Sequence, residues 1–392
     1  MTTGSARLAV RYALSLIAVA AVAVGLVACA PAKVSGGHSG AGSHIGSHPG
    51  STTSTAASPT PTPTPLAAPA IRITRTCGAL VSTSTLTASL GVAAPAVAPP
   101  PSFDEDIIFQ QDGALRCNWS NNYAKDATQT SSHLEVWVLP DVSATNWTDV
   151  AKTLVEFGET KTTLIGGDAY GWCTSALPKG TVCNIDTRVG TTWISFELES
   201  VPRPFTTSAA GLTHFAALLN PIVTAAGTSG FVTEPRWSDP EATATPATCA
   251  ATLPDSEVQT AASVSGVSSI GPDLDDQESL GIYVGAGMEM GRVECDLASS
   301  DQQSGFFATV LPGGAWAWSQ LQVADSSLPG HAPVPSLGTQ AIEYSDSASD
   351  TVQIDWVRGH NLCSVNVSLP THSKQASVAL ALATYINTKI PG

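Results

Sequence analysis

The chain has 392 residues, 43% of them hydrophobic and only 12% charged, with a formal charge of −15. An acidic chain with few lysines is a poor match for nucleic acid or anionic lipid headgroups, which attract basic surfaces. The low charged fraction, with abundant Ser and Thr, fits an exported protein kept soluble by hydroxyls and scattered acids.

In chain order, Arg7 and Arg11 precede the apolar run "YALSLIAVAAVAVGLVA" (12–28), the pattern of a secretory leader. The run ends in "LVACA", and Leu26-Val27-Ala28-Cys29 resembles a bacterial lipobox. That resemblance implies diacylglycerol transfer to the Cys29 thiol and cleavage before it, with residues 1–28 removed. Each buried acyl methylene adds about 0.8 kcal/mol, and two or more chains anchor stably. The expected location is the extracellular face of the cell membrane, held through the N-terminal lipid.

Residues 29–70 are the expected tether, Gly/Ser-rich and then "SPTPTPTPLAAP". So few large apolar side chains cannot repay the entropy of ordering. The Pro-Thr run is stiff and extended, at about 3.1 Å per residue. His38, His44 and His48 lie here without an acidic or thiol partner and read as polar spacer residues.

From residue 71 onward the chain echoes itself. "TCGAL" (76–80) returns as "TCAATL" (248–253), and "GALRCNWS" as "GRVECDLAS" (291–299). "LEVWVLPDVSATNW" returns as "FFATVLPGGAWAW", and "TVCNIDTRVGTTWISFEL" as "TVQIDWVRGHNLCSVNVSL". Matches in one order at a steady offset of about 170 residues indicate a tandem duplication. The expected division is 71–237, a Pro/Ala/Thr linker at 238–248, and 249–392.

Each copy mixes helix and strand. "ALVSTSTLTASLG" and "ATLPDSEVQTAASVSG" are spaced for short helices running to Gly91 and Gly266. "SATNWTDVAKTLVEFG" (143–158) predicts a helix with Thr145 or Asn146 near its N-cap and Gly158 as its stop. "TTWISFELES" alternates, with Ile194, Phe196 and Leu198 on one face, as does "CSVNVSL" with Cys363, Val365, Val367 and Leu369 inward. The last 20 residues of each copy read as an amphipathic helix. The expected fold is α+β: a four- or five-stranded antiparallel sheet per copy, with helices on one face. Strand order does not follow from the sequence.

Seven cysteines remain besides Cys29, in a compartment where disulfides persist. The recurrent pairs are Cys77 with Cys117 and Cys249 with Cys295, each joining a helix start to a strand. A loop of about 40 residues closed in this way is worth roughly 4 kcal/mol, less any strain. Cys173 and Cys183 flank the turn-rich "TSALPKGTV" and read as a hairpin clip private to the first copy. Cys363 is left over; its inward phase favours a buried inert thiol over intermolecular pairing or another partner.

The pattern of a Cys heading a short helix, then Cys-x-Trp in a strand about 40 residues later, resembles actinobacterial secreted lipoproteins of unknown function. These in turn are similar to extracellular sensor domains of mycobacterial serine/threonine kinases. "CNW" at 117–119 fits the pattern, and "CDL" at 295–297 fits less well. The resemblance implies an extracytoplasmic α+β domain with a helix-to-strand disulfide, and supplies no catalytic residues.

No nucleophile elbow, Ser-x-x-Lys, His-Glu-x-x-His, Cys-x-x-Cys or phosphate loop is present. The folded part has five scattered histidines, none with a second histidine at ligand spacing, and no metal or cofactor is expected. Two acidic runs, "DEDI" (Asp104, Glu105, Asp106) and "DLDDQES" (Asp273, Asp275, Asp276), are expected in matching loops ahead of the Cys-bearing strands. They lack the EF-hand order, yet are the first candidates for a ligand loop. Of nine tryptophans most are expected in the core, with Trp172 beside the hairpin clip the best candidate for exposure. The functional expectation is a non-enzymatic surface lipoprotein that binds, senses or scaffolds, its partner an envelope protein, lipid or glycan. An envelope hydrolase with an unrecognised site and a structural spacer are the alternatives.

Overall fold

The structure, a computed structural model, describes residues 67–91, 93, 96–97, 103–120, 132–156, 158–177, 180–201, 205–233, 235–269, 280–325, 330–346 and 351–392. The leader, Cys29, the tether histidines and Asp273, Asp275 and Asp276 lie outside these residues.

The first half begins with two helical pieces, α1 (Cys77–Leu80) and α2 (Thr83–Leu90). Ser82 caps α2 by accepting from the Thr85 N–H, and Gly91 ends it at φ 76°, a conformation glycine adopts without strain. There follow β1 (Ala96–Val97), α3 (Phe103–Asp112), β2 (Leu115–Ser120), β3 (His133–Leu139) and α4 (Ala144–Glu156). Ser143, rather than Thr145 or Asn146, caps α4, its hydroxyl accepting from the Asn146 N–H at 3.1 Å. The half closes with β4 (Thr160–Thr162), β5 (Asp168–Leu177), β6 (Gly180–Val189), β7 (Thr192–Val201) and α5 (Ser208–Ala226).

The second half runs α6 (Cys249–Thr252), α7 (Asp255–Ala262), β8 (Ser268–Ser269), α8 (Leu280–Glu289), β9 (Val293–Ala298) and β10 (Gly305–Leu311). A 3-10 turn at Gly314–Ala317 leads into α9 (Trp318–Asp325). Then come β11 (Ala332–Pro333), β12 (Ala341–Asp346), β13 (Thr351–Arg358), β14 (Asn361–Ser368) and α10 (His372–Lys389). Helix α7 stops at Ala262, short of Gly266, because Ser263 takes the left-handed conformation.

The fold is α+β with two antiparallel sheets. The strand orders are β1-β2-β3-β7-β6-β5-β4 and, read in the same sense, β8-β9-β10-β14-β13-β12-β11. Registers agree as well: Cys117 opposes Val136 and Val136 opposes Phe196, as Cys295 opposes Ala308 and Ala308 opposes Val365. Five strands carry each sheet, and the extra two are stubs of two or three residues at the edges.

Alternation decides the faces. Cys117 and Trp119, Val136 and Val138, and Ile194, Phe196 and Leu198 point to one face, against Leu212, Phe215 and Leu219 of α5. In the second half Cys363, Val365 and Val367 meet Leu382 and Ile386 of α10 in the same way. Disulfides join Cys77 to Cys117, Cys173 to Cys183, and Cys249 to Cys295. Cys363 is free and buried.

Helices cover both faces of each sheet, not one as expected. The opposite faces carry Trp137, Leu139 and Trp193 in the first half and Leu311 and Leu362 in the second. So much apolar area would be costly in water, and the two halves bury it against each other within one compact unit, Leu66–Gly392. Each half lays its middle helix over the other's sheet. Tyr283 of α8 packs edge-on to Trp137, while Ile107 and Ile108 of α3 line a small cavity with Thr309, Leu311 and Ser364. Between the sheets α3 and α8 touch, with Phe109 and Tyr283 centroids 4.7 Å apart.

Polar contacts lock this arrangement. Gln111 of α3 donates to the Pro312 carbonyl at 2.7 Å and accepts from the Trp316 indole at 3.1 Å. Arg236 reaches Asp112 of α3 at 2.9 Å and donates to the carbonyl and carboxylate of Glu289 at the end of α8. Burial pushes the Asp112 carboxyl up to about 7, opposed by Arg236 and Arg72. His360, in the β13–β14 turn, holds Asp239 at 2.6 Å and Glu241 at 3.1 Å.

Candidate functional site

Polar side chains gather on the mid-molecule face of the first sheet, and the pleat sorts them into rows across the strands. One row runs Asn118 (β2), Glu135 (β3), Glu197 (β7), Asn184 (β6) and Trp172 (β5). Two residues along β3 and β7, the next row places His133 directly opposite Glu199. On the other side, a row of Arg116, Trp137, Ser195, Asp186 and Tyr170 leads toward Trp193 and the cover of α8.

Histidine and acids meet at the first two rows. His133 Nδ1 lies 3.4 Å from Glu199 Oε2. One ligand atom from each of His133, Glu197 and Glu199 falls within 4.8 Å of the others, and all three residues are half-buried. Glu135 beside them is accounted for: Arg116 donates its Nε–H to it, and the guanidinium stacks 5.7 Å from the Trp137 ring.

The asparagines of the row are not accounted for. Asn118 is 2% exposed and Asn184 3% exposed. Among the described residues, neither amide atom of Asn118 has a hydrogen-bond partner, nor does Oδ1 of Asn184. A buried unpaired polar group costs about 1–3 kcal/mol, so two in one row of a single sheet, with Glu135 and Glu197 between them, stand out.

A second acidic feature lies deeper. Asp186 accepts from the Trp193 indole at 2.7 Å and is fully buried, with Glu159 close enough to repel it. Burial raises both carboxyls, Glu159 to about 10 and Asp186 to about 6, the latter held down by donors from Trp193 and Ser195. The pair therefore holds a proton well above the usual carboxylate range. Across the molecule Asp355 and Ser364 sit opposite each other as Asp186 and Ser195 do. They border the cavity of about 20 Å³ under Ile107 and Ile108, room for about one water. Cys363 also borders it, its thiol pushed up by burial and by Asp355. A neutral, enclosed thiol is a poor nucleophile.

The residues singled out in the sequence fall elsewhere. Asp104, Glu105 and Asp106 occupy the first turn of α3, not a loop. The helix forms because Ile107, Ile108 and Phe109 bury one side, and acids suit the positive end of a helix dipole. Asp273, Asp275 and Asp276 lie outside the described residues. Seven tryptophans are buried, while Trp172 and Trp237 are half-buried. The His133, Glu197 and Glu199 cluster was missed, although the signal was present. "HLEVW" and "FELES" both alternate with acids outward, but nothing in the sequence says that these strands are neighbours.

Comparison of the chain with protein-family models, with curated proteins and with solved structures finds no match.

Proposed function

We propose that the chain is an exported lipoprotein, anchored through Cys29 at the extracellular face of the cell membrane. Its two halves are tandem homologous domains with a non-enzymatic binding, sensing or scaffolding role in the envelope. Export is supported by the leader pattern and by three disulfides. Homology is supported by the shared strand order, the shared register and the equivalent Cys77–Cys117 and Cys249–Cys295 bonds. The likeness to actinobacterial secreted lipoproteins and kinase sensor domains belongs to the same reading.

One observation carries the binding role over that of a spacer. The polar rows of the first sheet keep buried, unpaired Asn118 and Asn184 beside His133, Glu197 and Glu199. At the aligned positions the second sheet has Asp296, Phe307, Asn366 and Gln353. There Asn366 donates to Gln353, so amides left unpaired at a cost in stability belong to the first sheet; a spacer gains nothing from them, whereas a ligand would repay that cost. Native mass spectrometry of the full-length protein from its own membranes tests this. A co-purifying ligand lost in Asn118→Leu supports the reading; a bare protein in repeated preparations refutes it.

A further inference from the structure

We infer that His133, Glu197 and Glu199 form a binding site for a divalent transition-metal cation of the zinc class. The inference rests on the reading above that this face takes a ligand. Three observations carry it: the donor set, its geometry and the unpaired amides beside it.

An imidazole nitrogen with two carboxylate oxygens is a mixed N/O set suited to zinc and its neighbours, with water completing the shell. The two carboxylates supply the charge that a divalent cation needs. Glu197 and Glu199 lie two apart on one strand and so present their carboxylates on one face.

The geometry is close to that of a loaded site. Ligands about 2.1 Å from a tetrahedral ion stand about 3.4 Å apart. His133 and Glu199 are already at 3.4 Å. The widest possible gap, 4.8 Å, closes with a movement of about 1.4 Å. All three ligands stand on β3 and β7, central strands of the sheet, so the backbone beneath them is fixed.

The buried asparagines add an independent pointer. Asn184 stands directly across from Glu197, and Asn118 directly across from Glu135 in the same row. The unpaired Oδ1 of Asn184 can accept from metal-bound water, as groups surrounding a metal centre commonly do. Among the described residues the second sheet lacks the set, so one ion per chain is expected.

The test uses the full-length protein in detergent, stripped with a chelator and then titrated with ZnCl2 or CoCl2 alone. The expected result is one equivalent bound and a visible Co2+ spectrum of low-coordinate type. His133→Ala and Glu199→Gln should each weaken binding at least tenfold, and Asn184→Leu by about tenfold. Glu199 is more exposed than His133, so Glu199→Gln keeps the test valid if His133→Ala fails to fold. No stoichiometric binding, or unchanged affinity in folded Glu199→Gln, overturns the metal site. An organic ligand still lost from Asn118→Leu in native mass spectrometry would then leave the binding role standing without the metal.

Discussion

Replacing Gly285 by alanine tests whether the α8 helix seals the first sheet as described. A Cβ at Gly285 would stand 2.2 Å from Cζ3 of Trp193 and 3.0 Å from Cε3, so the ring would have to retreat by more than an ångström. Trp193 has nowhere to go. It is fully buried, its indole donates to Asp186 at 2.7 Å, and Trp147 packs against it at 5.4 Å. Overpacking costs about 1–3 kcal/mol, and loosening a buried hydrogen bond about 1–3 more. Alanine recovers about 1 kcal/mol of helix propensity. The net expectation is a loss of about 2–3 kcal/mol. One turn earlier on the same face, a Cβ at Gly281 meets Leu154 at 3.5 Å and Trp193 at 3.6 Å, ordinary contact distances. Gly281→Ala should therefore gain up to about 1 kcal/mol from propensity alone. Urea unfolding, followed by circular dichroism and tryptophan fluorescence, reads both changes as shifts in midpoint. The same residue change at two positions of one helix should move the midpoint in opposite directions. A Gly285→Ala midpoint at or above that of the unmodified protein would refute the packing of α8 on Trp193.

Four further outcomes are expected, the last from the sequence alone. Glu159 holds its proton in the fold up to about 10 but releases it near 4.5 when unfolded, so its contribution to stability falls as pH rises between those values. Asp112 adds a fall between about 4 and 7; Glu159→Gln should flatten the decline above pH 7, and a pH profile unchanged from the parent would count against the buried acid pair. Reducing the disulfides should lower the unfolding midpoint sharply, since closing the 40-residue Cys77–Cys117 loop is worth roughly 4 kcal/mol. Unreduced peptide maps should show 77–117, 173–183 and 249–295 pairs, and any Cys363 cross-link would contradict its burial. Mass spectrometry of the N-terminal peptide should find Cys29 as the first residue with acyl chains attached; an unmodified chain starting at Met1 would rule out the lipid anchor.

Much of the architecture was legible locally. Alternation in "TTWISFELES" and "CSVNVSL" placed Ile194, Phe196, Val365 and Val367 inward, where they are fully buried. The cysteine echo gave the helix-to-strand bonds, because spacing repeated within one chain constrains pairing far more than a single spacing does. These are short-range properties, carried by period, caps and cysteine position. Long-range ones were not. The neighbouring of β3 and β7, which brings His133 to Glu197 and Glu199, depends on a connection through α4 and three intervening strands. The exchange of α3 and α8 between the sheets turned an acidic run expected in a loop into the first turn of a buried helix. It also covers the outward faces of β3 and β7, burying Trp137 and Trp193 there. The sequence by itself determined a disulfide-bearing α+β chain with its inward faces. Only tertiary structure decided what covers the outward faces, because residues that meet there are brought together by packing between the halves and share no local pattern.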